Sequence, residues 1–343
     1  MPDAMIDGRA IRVPAGTTVL QAARDCGISI PALCFQPDLD HHTSCMVCLV
    51  EEETTGRLVP SCATPVQDGQ RILTASMRAR DARLHAVELL LAEHAGDCEA
   101  PCTRVCPARL DVPSIIRRIA KGDRRGAALC RSAGGAHPGP ACDTCSAPCE
   151  RACRRARVDR ALNIRALLIG LGPCDPLPRP GARDVSARHD SRCGHAETAT
   201  LRALAAAADA RASRRRRNAA DADAAEAGRC LECDCVRKAS CLLRSLAEEI
   251  GADTRRLGLR RPALPPPPQT GGGVSFSPGK CIRCGICVRI SDRAGARPGI
   301  AFSGRSSTVE VRGALGADFA SALGTSAAEC ISRCPTGALA RQP

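Results

Sequence analysis

Within sixty residues in the middle of the chain, 94–153, eight side chains of the types that bind soft metal ions are closely spaced. They fall into two runs, the first at four-residue steps: His94, Cys98, Cys102 and Cys106, then Cys142, Cys145, Cys149 and Cys153. Cysteine thiolates are the usual ligands of iron–sulfur clusters, and histidine replaces them in some. Eight such ligands can hold two clusters. Zinc or disulfides are the alternatives for this segment.

The composition indicates that metal helps to hold the fold together. The 343 residues are enough for two or three small domains. They include 24 cysteines but only four phenylalanines, with no tryptophan or tyrosine, so the usual large core side chains are scarce. A secreted disulfide scaffold is disfavoured, because residues 1–13 lack the pattern of a signal peptide and the cysteines cluster as C-x2-C and C-x3-C. We therefore expect a cytoplasmic metalloprotein without a membrane span.

The formal net charge of +13 would suit a nucleic-acid partner. That count treats every cysteine as neutral, whereas a cluster held by four thiolates carries a net charge of about −2. Several clusters would therefore offset most of the excess positive charge. Aromatic side chains for base stacking are also nearly absent. The charge balance predicts cluster binding and no nucleic-acid partner.

Residues 1–76 are predicted to form a small mixed α/β domain. Asp7-Gly8 marks a turn between two short strands, and Thr17 or Thr18 can cap a helix that ends at Gly27. Four cysteines then follow as C-x10-C-x2-C-x13-C: Cys34, Cys45, Cys48 and Cys62. Soft sulfur ligands at this spacing predict a 2Fe–2S cluster, with a structural zinc site as the alternative.

The stretch CFQPDLDHHTSCMVCLVEEETTGRLVPSCATPV resembles the N-terminal 2Fe–2S domain of the large iron–sulfur subunit of respiratory complex I. Related NAD-linked hydrogenases and formate dehydrogenases share that domain. The resemblance implies a β-grasp ferredoxin fold for residues 1–76. A helix is predicted at 77–93 from the apolar spacing of Leu84, Val87, Leu90 and Leu91. The His94-x3-Cys98 step after it resembles the His-ligated 4Fe–4S motif of complex I.

The stretches CTRVCPARLDVPSIIRRIAKGDRRGA and CSAPCERACRRARVDRALNIRAL resemble the helical domain of the glutamate synthase small subunit. The iron–sulfur domain of dihydropyrimidine dehydrogenase is similar. The resemblance implies an α-helical domain over residues 77–165 with two 4Fe–4S clusters. By position, the first cluster would use His94, Cys98, Cys102 and Cys153. The second would use Cys106, Cys145 and Cys149, with Cys142 in place of a polar ligand that has no clear match here.

In that family an FAD and NAD(P)H domain follows, but residues 166–227 do not fit one. Gly170 and Gly172 form a lone G-x-G, and the prolines from Pro173 onward forbid the helix that would bind a pyrophosphate. We interpret this region as a Pro/Ala/Arg-rich linker or the remnant of a lost flavin domain. Its Ala-rich part favours helix, and the run Arg214–Arg217 either lies on a solvated face or docks an acidic partner or nucleic acid.

The remaining cysteines lie near the C-terminus. A Cys-rich helical motif over residues 228–262 contains Cys230, Cys233, Cys235 and Cys241, which suit either a 4Fe–4S cluster or zinc. A linker is predicted over 263–275. Residues 276–343 read as a ferredoxin-like domain with one 4Fe–4S cluster, whose predicted ligands are Cys281, Cys284, Cys287 and, before Pro335, Cys334.

Together these motifs predict an α+β multidomain protein with one 2Fe–2S and three or four 4Fe–4S clusters. No dinucleotide fingerprint or nucleophile elbow is present in the sequence. We therefore expect a non-catalytic electron-transfer component. It would work between a partner that carries the flavin and NAD(P) site, or a hydrogenase- or dehydrogenase-type subunit, and a redox acceptor. The alternatives are a complete NAD(P)H-dependent flavin oxidoreductase and a zinc-stabilised nucleic-acid-binding module.

Overall fold

The computed structural model describes residues 1–94, 98–134, 142–172, 198–216, 222–235, 239–253, 257 and 269–341. The chain divides into two compact units. Unit 1 comprises Met1–His94 and Ala239–Pro343, and unit 2 comprises Ala95–Lys238. Both ends of the chain therefore belong to the same unit, and the central region is inserted between them in sequence. No helix of the described part of the chain is long and apolar enough to cross a membrane.

The N-terminal part of unit 1 is a five-stranded sheet with one helix. Its elements are β1 (Asp3–Ile6), β2 (Arg9–Arg12), α1 (Val19–Asp25), β3 (Leu49–Glu52), β4 (Arg57–Pro60) and β5 (Arg71–Leu73). The strand order is β2-β1-β5-β3-β4, with β1 parallel to β5. Asp7 and Gly8 both have positive φ, which suits the twist of a two-residue hairpin turn. Thr18 caps α1 in a capping box with Gln21.

The rest of unit 1 packs around one apolar core. Its elements are α2 (Met77–Glu93), α10 (Leu242–Ile250), β6 (Gln269–Gly271), β7 (Val274–Phe276), α11 (Ile286–Arg293), β8 (Ile300–Ser303), β9 (Glu310–Gly313), α12 (Phe319–Leu323), α13 (Ala327–Arg333) and β10 (Leu339–Arg341). Strands β10, β7 and β6 form one antiparallel sheet, and β8 pairs with β9. The rings of Phe276 and Phe319 stack with centroids 3.9 Å apart.

Three boundaries differ from those predicted. Helix α2 falls in unit 1 instead of the central domain, because Val87 and Leu91 share a core with Leu243 and Ala247 of α10. Residues 269–275, predicted as linker, form β6 and the start of β7, which pair with each other. The predicted motif 228–262 is divided, with 228–235 in unit 2 and 239–253 in unit 1.

The described part of unit 2 is helical throughout. Its helices are α3 (Pro101–Arg104), α4 (Val112–Ala120), α5 (Arg124–Gly134), α6 (Pro148–Arg151), α7 (Ile164–Ile169), α8 (Thr198–Arg216) and α9 (Ala222–Ala227). Helix α4 starts with Pro113 in its first turn and is followed by Gly122 at positive φ. Its Ile115, Ile116 and Ile119 are fully buried. The Pro-rich stretch 173–197, Arg217 and the side chains of residues 214–216 lie outside the described part.

Candidate iron–sulfur sites

The N-terminal site consists of Cys34, Cys45, Cys48 and Cys62, each 2% exposed or less. The thiol of Cys34 interacts with those of Cys45 and Cys62, and the thiol of Cys62 also interacts with that of Cys48. Between Cys45 and Cys48, Met46 takes a positive φ of 54°, which few non-glycine residues adopt. The structure thus brings together all four cysteines that the sequence pattern groups.

The pKa values of these four thiols are shifted in opposite directions by their contacts with one another. Hydrogen bonds from Cys45 and Cys62 hold the pKa of Cys34 far below its ordinary value, and a hydrogen bond from Cys62 lowers the pKa of Cys48 to about 7. The pKa values of Cys45 and Cys62 are raised, chiefly by their hydrogen bonds to Cys34. Four buried thiols that lie together supply the four sulfur donors that a 2Fe–2S cluster requires.

The C-terminal site consists of Cys281, Cys284, Cys287 and Cys334, which line one cavity in unit 1. The first three precede or begin α11, and Cys334 caps the C-terminal end of α13. Burial raises the pKa of Cys281 to about 11 and also raises those of Cys284 and Cys287. Cys330 lines the same cavity, and its thiol lies 3.8 Å from the carbonyl oxygen of Cys287. The predicted group of four is therefore assembled here.

Arg289 on α11 joins the N-terminal and C-terminal sites. Its Nη2 donates to the carbonyl oxygen of Cys34 at 2.8 Å and to that of Cys284 at 3.4 Å. Its Nη1 donates to the carbonyl oxygen of Asp40. One guanidinium thus contacts a cysteine of each site, which makes these two sites neighbours within unit 1.

Charged and aromatic contacts join the same two parts of unit 1. Asp38 accepts from Arg293 of α11 at 2.6 Å and from Arg333 of α13 at 2.5 Å. Hydrogen bonds from Arg333 and then Arg293 hold the pKa of Asp38 well below its usual range. His42 stacks on Phe302 with ring centroids 5.4 Å apart. The 34–42 loop is therefore held against the C-terminal part of unit 1 by several independent contacts.

The second central site consists of Cys106, Cys142, Cys145 and Cys149, which line one cavity in unit 2. Burial raises the pKa of Cys149 to about 12 and also raises that of Cys142. Arg165 at the start of α7 donates its backbone N–H to Glu150 at 2.8 Å, which ties α7 to the helix that carries Cys149. Cys142, which has no counterpart in the pattern that the sequence resembles, lines this cavity with the other three cysteines.

The first central site differs from the predicted set. Cys102 and Cys153 line a cavity together with Cys230 and Cys233, a C-x2-C pair that the sequence pattern assigns to a separate centre. Burial raises the pKa values of Cys102 and Cys230, and neighbouring cysteines raise them further. The group of four assembled here is therefore Cys102, Cys153, Cys230 and Cys233.

The other predicted ligands are distributed between the units. His94 ends α2 in unit 1; burial and then Lys280 lower its pKa to about 4, and its buried Nδ1 has no hydrogen-bond partner among the described residues. Cys241 precedes α10, also in unit 1. In unit 2 the backbone N–H of Cys235 donates to the carbonyl oxygen of Cys98 at 3.3 Å. The two predicted sets that contain these residues therefore draw their members from both units.

One signal for the regrouping is present in the sequence. Cys98, Cys102 and Cys106 are separated by three residues each, so this run contains no C-x2-C pair, whereas Cys230-x2-Cys233 supplies one.

Among the described residues, no three histidine, cysteine or acidic side chains are arranged to hold a single metal ion. None of the described cysteines forms a disulfide.

The comparisons with known proteins identify the N-terminal region. Residues 3–77 match the model of the 2Fe-2S iron-sulfur cluster binding domain. Subunit HndD of the NADP-reducing hydrogenase of Solidesulfovibrio fructosivorans is 44% identical over 99 residues, which are 27% of this chain and 17% of that protein. The 78 kDa subunit of NADH-ubiquinone oxidoreductase of Candida albicans is 40% identical over 93 residues, 27% of this chain and 13% of that protein. The chain thus spans less than a fifth of these relatives.

A solved structure matches at the level of the fold. A chain of the crystal structure of an NAD+-reducing [NiFe]-hydrogenase in the H2-reduced state aligns with a TM-score of 0.52 and 19% identity. The alignment covers 99% of this chain and 87% of that one. Residues 3–77 thus carry a 2Fe–2S cluster binding domain, within a mixed helix-and-sheet chain similar in fold to one in this hydrogenase.

Proposed function

We propose that this chain is an iron–sulfur electron-transfer subunit that relays single electrons between an NAD(P)H-linked flavoprotein partner and a redox acceptor. The observation that carries the proposal is Arg289, which donates to the carbonyl oxygens of Cys34 and Cys284. It makes the N-terminal and C-terminal sites neighbours, as successive members of an electron path must be. A protein that used each site only to stabilise its own domain would have no need of this bridge.

The residues at each site suit the proposed groups. Cys34, Cys45, Cys48 and Cys62 would hold the 2Fe–2S cluster in a β-grasp domain, and Cys281, Cys284, Cys287 and Cys334 a 4Fe–4S cluster. Cys106, Cys142, Cys145 and Cys149 would hold a second 4Fe–4S cluster. Bound clusters of this kind supply reversible one-electron exchange at potentials set by their surroundings. The chain itself contributes burial, which excludes water, and backbone N–H groups of Ser44 and Cys45 that help to lower the pKa of Cys34.

The relatives support a partner that binds the nucleotide. They are named as subunits of an NADP-reducing hydrogenase and of NADH-ubiquinone oxidoreductase, and each match covers only a small part of them. Residues 166–172 do not supply a dinucleotide fingerprint, because Gly170 ends the short helix α7 instead of opening one. We therefore assign the flavin and the nucleotide to another chain.

The test uses the full chain, purified without oxygen and examined by EPR. Dithionite should reduce the sites and give a 2Fe–2S signal, whereas NADH or NADPH alone should leave the protein oxidised. Adding a catalytic amount of a flavin-containing NADH dehydrogenase should then allow NADH to reduce it. Bound flavin together with direct reduction by NADH would overturn the assignment of the flavin to a partner. No signal with dithionite would overturn the electron-transfer function itself.

A further inference from the structure

The short loop that contains Cys230 and Cys233 has the same local geometry as the ferredoxin-like pair Cys281 and Cys284. In the first pair Glu232 has a φ of 51°, and in the second Arg283 has a φ of 54°. The backbone N–H of Glu232 lies 3.4 Å from the Cys230 sulfur, and that of Arg283 lies 3.4 Å from the Cys281 sulfur. Non-glycine residues seldom adopt positive φ, so the repetition of this turn indicates the same task.

The cavity that these two cysteines face is already lined by Cys102 and Cys153. Its other walls are mainly apolar and include Val112 and Ile116 of α4 and Leu162. Four thiolates brought together in an apolar cavity repel one another. A cationic group at their centre removes that repulsion, which is what iron bound to four thiolates does.

A buried ion pair fixes the downstream loop to α4. Arg117 donates to both carboxylate oxygens of Asp234, at 2.6 and 2.9 Å, and the Asp234 side chain is fully buried. Asp234 directly follows Cys233, and Arg117 directly follows Ile116 in the cavity wall. This bidentate contact sets the position of the Cys230–Cys233 pair relative to α4.

A second network fixes the same loop to the segment that carries Cys153. Arg155 donates to the carbonyl oxygen of Arg229 at 3.2 Å and to Asp159 at 2.7 and 2.8 Å. Arg229 in turn donates to Asp159 at 3.1 Å and to Glu226 at 2.8 Å. Arg155 and Arg229 are both buried. The two cysteine-bearing segments, far apart in sequence, are therefore held side by side.

We propose that Cys102, Cys153, Cys230 and Cys233 together hold one 4Fe–4S cluster, and that Arg117 and Asp234 are positioning residues for it. The inference deepens the proposed function and rests on it, because it adds one site to the electron path. It replaces the predicted set with His94 and Cys98, and it joins the loop 230–235 to the central helices instead of to a centre of its own.

The experiment compares Cys230→Ser and Cys233→Ala with Cys130→Ala, which removes a half-buried cysteine of α5 that lines none of the cavities described. Iron and sulfide per chain and the EPR spectrum are measured on full-length protein reconstituted without oxygen. Cys233→Ala should lose about four irons and keep the 2Fe–2S signal. Cys230→Ser, whose hydroxyl can still bind iron, should change the 4Fe–4S spectrum. Cys130→Ala should match the wild type.

The outcomes separate this inference from the proposed function. Wild-type protein without iron would overturn the proposed function, and this inference with it. Fully loaded wild type, with iron content and spectra unchanged in both Cys230→Ser and Cys233→Ala, would overturn only the assignment of this site. If Cys233→Ala fails to fold, Cys230→Ser keeps the test decisive, because a cysteine with a purely structural role would leave the 4Fe–4S spectrum as it is.

Discussion

In unit 1 each cysteine site takes most of its thiols from one stretch of chain, whereas in unit 2 the first central site gathers them from three distant segments. The N-terminal site lies within residues 34–62, and three cysteines of the C-terminal site lie within 281–287. Cys102, Cys153 and the pair Cys230–Cys233 come from the beginning, middle and end of unit 2. The sites in unit 1 therefore depend mainly on local loops, with Cys334 supplied by the end of α13, whereas the dispersed site depends on the fold of the whole unit.

The cores of the two units also differ in the types of side chain that form them. All four phenylalanines lie in unit 1, where Phe276 and Phe319 stack and sheets support the cysteine loops. The described core of unit 2 consists of small and aliphatic side chains, centred on Ile115, Ile116 and Ile119. Aromatic side chains bury the largest areas, so unit 2 has less hydrophobic stabilisation for its size. We infer that unit 2 depends more on its metal centres than unit 1 does.

Removal of iron should therefore affect the two units unequally, and this is the largest effect that we expect. After chelation under anaerobic, reducing conditions, the amides of α4 and α7 should lose protection from hydrogen exchange by roughly 100-fold or more, because metal binding supplies folding free energy. Amides of β1, β3 and β5 should keep most of theirs. Hydrogen exchange with mass spectrometry measures both in one sample, and an equal loss in both units would contradict the comparison.

Loss of the buried ion pair in unit 2 should be the next largest effect. Asp234→Ala leaves Arg117 as a mostly buried charge without its carboxylate, which costs about 3–5 kcal/mol in the free energy of unfolding. The control is Glu53→Ala, which removes an exposed pair with Arg71 in unit 1 and should cost less than about 1 kcal/mol. Urea unfolding followed by circular dichroism gives both values. Similar costs for the two variants would show that Asp234 does not anchor the loop.

Arg289→Met should have an intermediate effect, confined to unit 1. Loss of its hydrogen bonds to the Cys34 and Cys284 carbonyls should lower the free energy of unfolding by about 2–3 kcal/mol. It should also weaken the magnetic interaction between the two reduced sites, seen as easier power saturation of the 2Fe–2S EPR signal. Arg289→Lys should restore part of both. Arg312→Met, at an exposed arginine of β9, is the control. An equal change in the EPR spectrum of Arg312→Met would contradict the role given to Arg289.

Asp38 should give the smallest effect, visible as a pH dependence. Arg333 and Arg293, which also contact Glu329, depress the pKa of Asp38 in the folded chain. Its contribution to stability is therefore present above the pKa of an unfolded aspartate, about 4, and is lost as the pH falls from there toward the lower folded value. Between pH 6 and pH 3, wild type should lose more stability than Asp38→Asn. High salt should reduce the difference, and equal losses would contradict it.

The local features of this chain could be predicted from sequence because each depends on neighbouring residues. The Asp7-Gly8 turn, the Thr18 cap and the proline-initiated helix α4 all formed where expected. The grouping of Cys34 with Cys62 follows from a spacing that occurs in known cluster loops, and that of Cys281 with Cys334 from the ferredoxin pattern in which a cysteine before proline completes the set.

The features that sequence did not predict depend on tertiary packing. The C-x2-C spacing of Cys230 and Cys233 indicates a pair of metal ligands, but it does not show that α4 and the Arg117–Asp234 pair bring them beside Cys102. The apolar face of α2 was predicted, but its partner α10, more than a hundred residues later, was not. Periodicity shows that a face is buried without showing what covers it.

If this chain carries a series of clusters, its iron content is the most direct evidence of them. One 2Fe–2S and three 4Fe–4S clusters require about fourteen irons per chain. Iron and acid-labile sulfide should be measured on anaerobically purified full-length protein, with an EPR redox titration of the same sample. We expect about fourteen irons or more, a 2Fe–2S signal and several distinct 4Fe–4S signals. Iron well below about ten atoms per chain, or zinc in its place, would contradict the account.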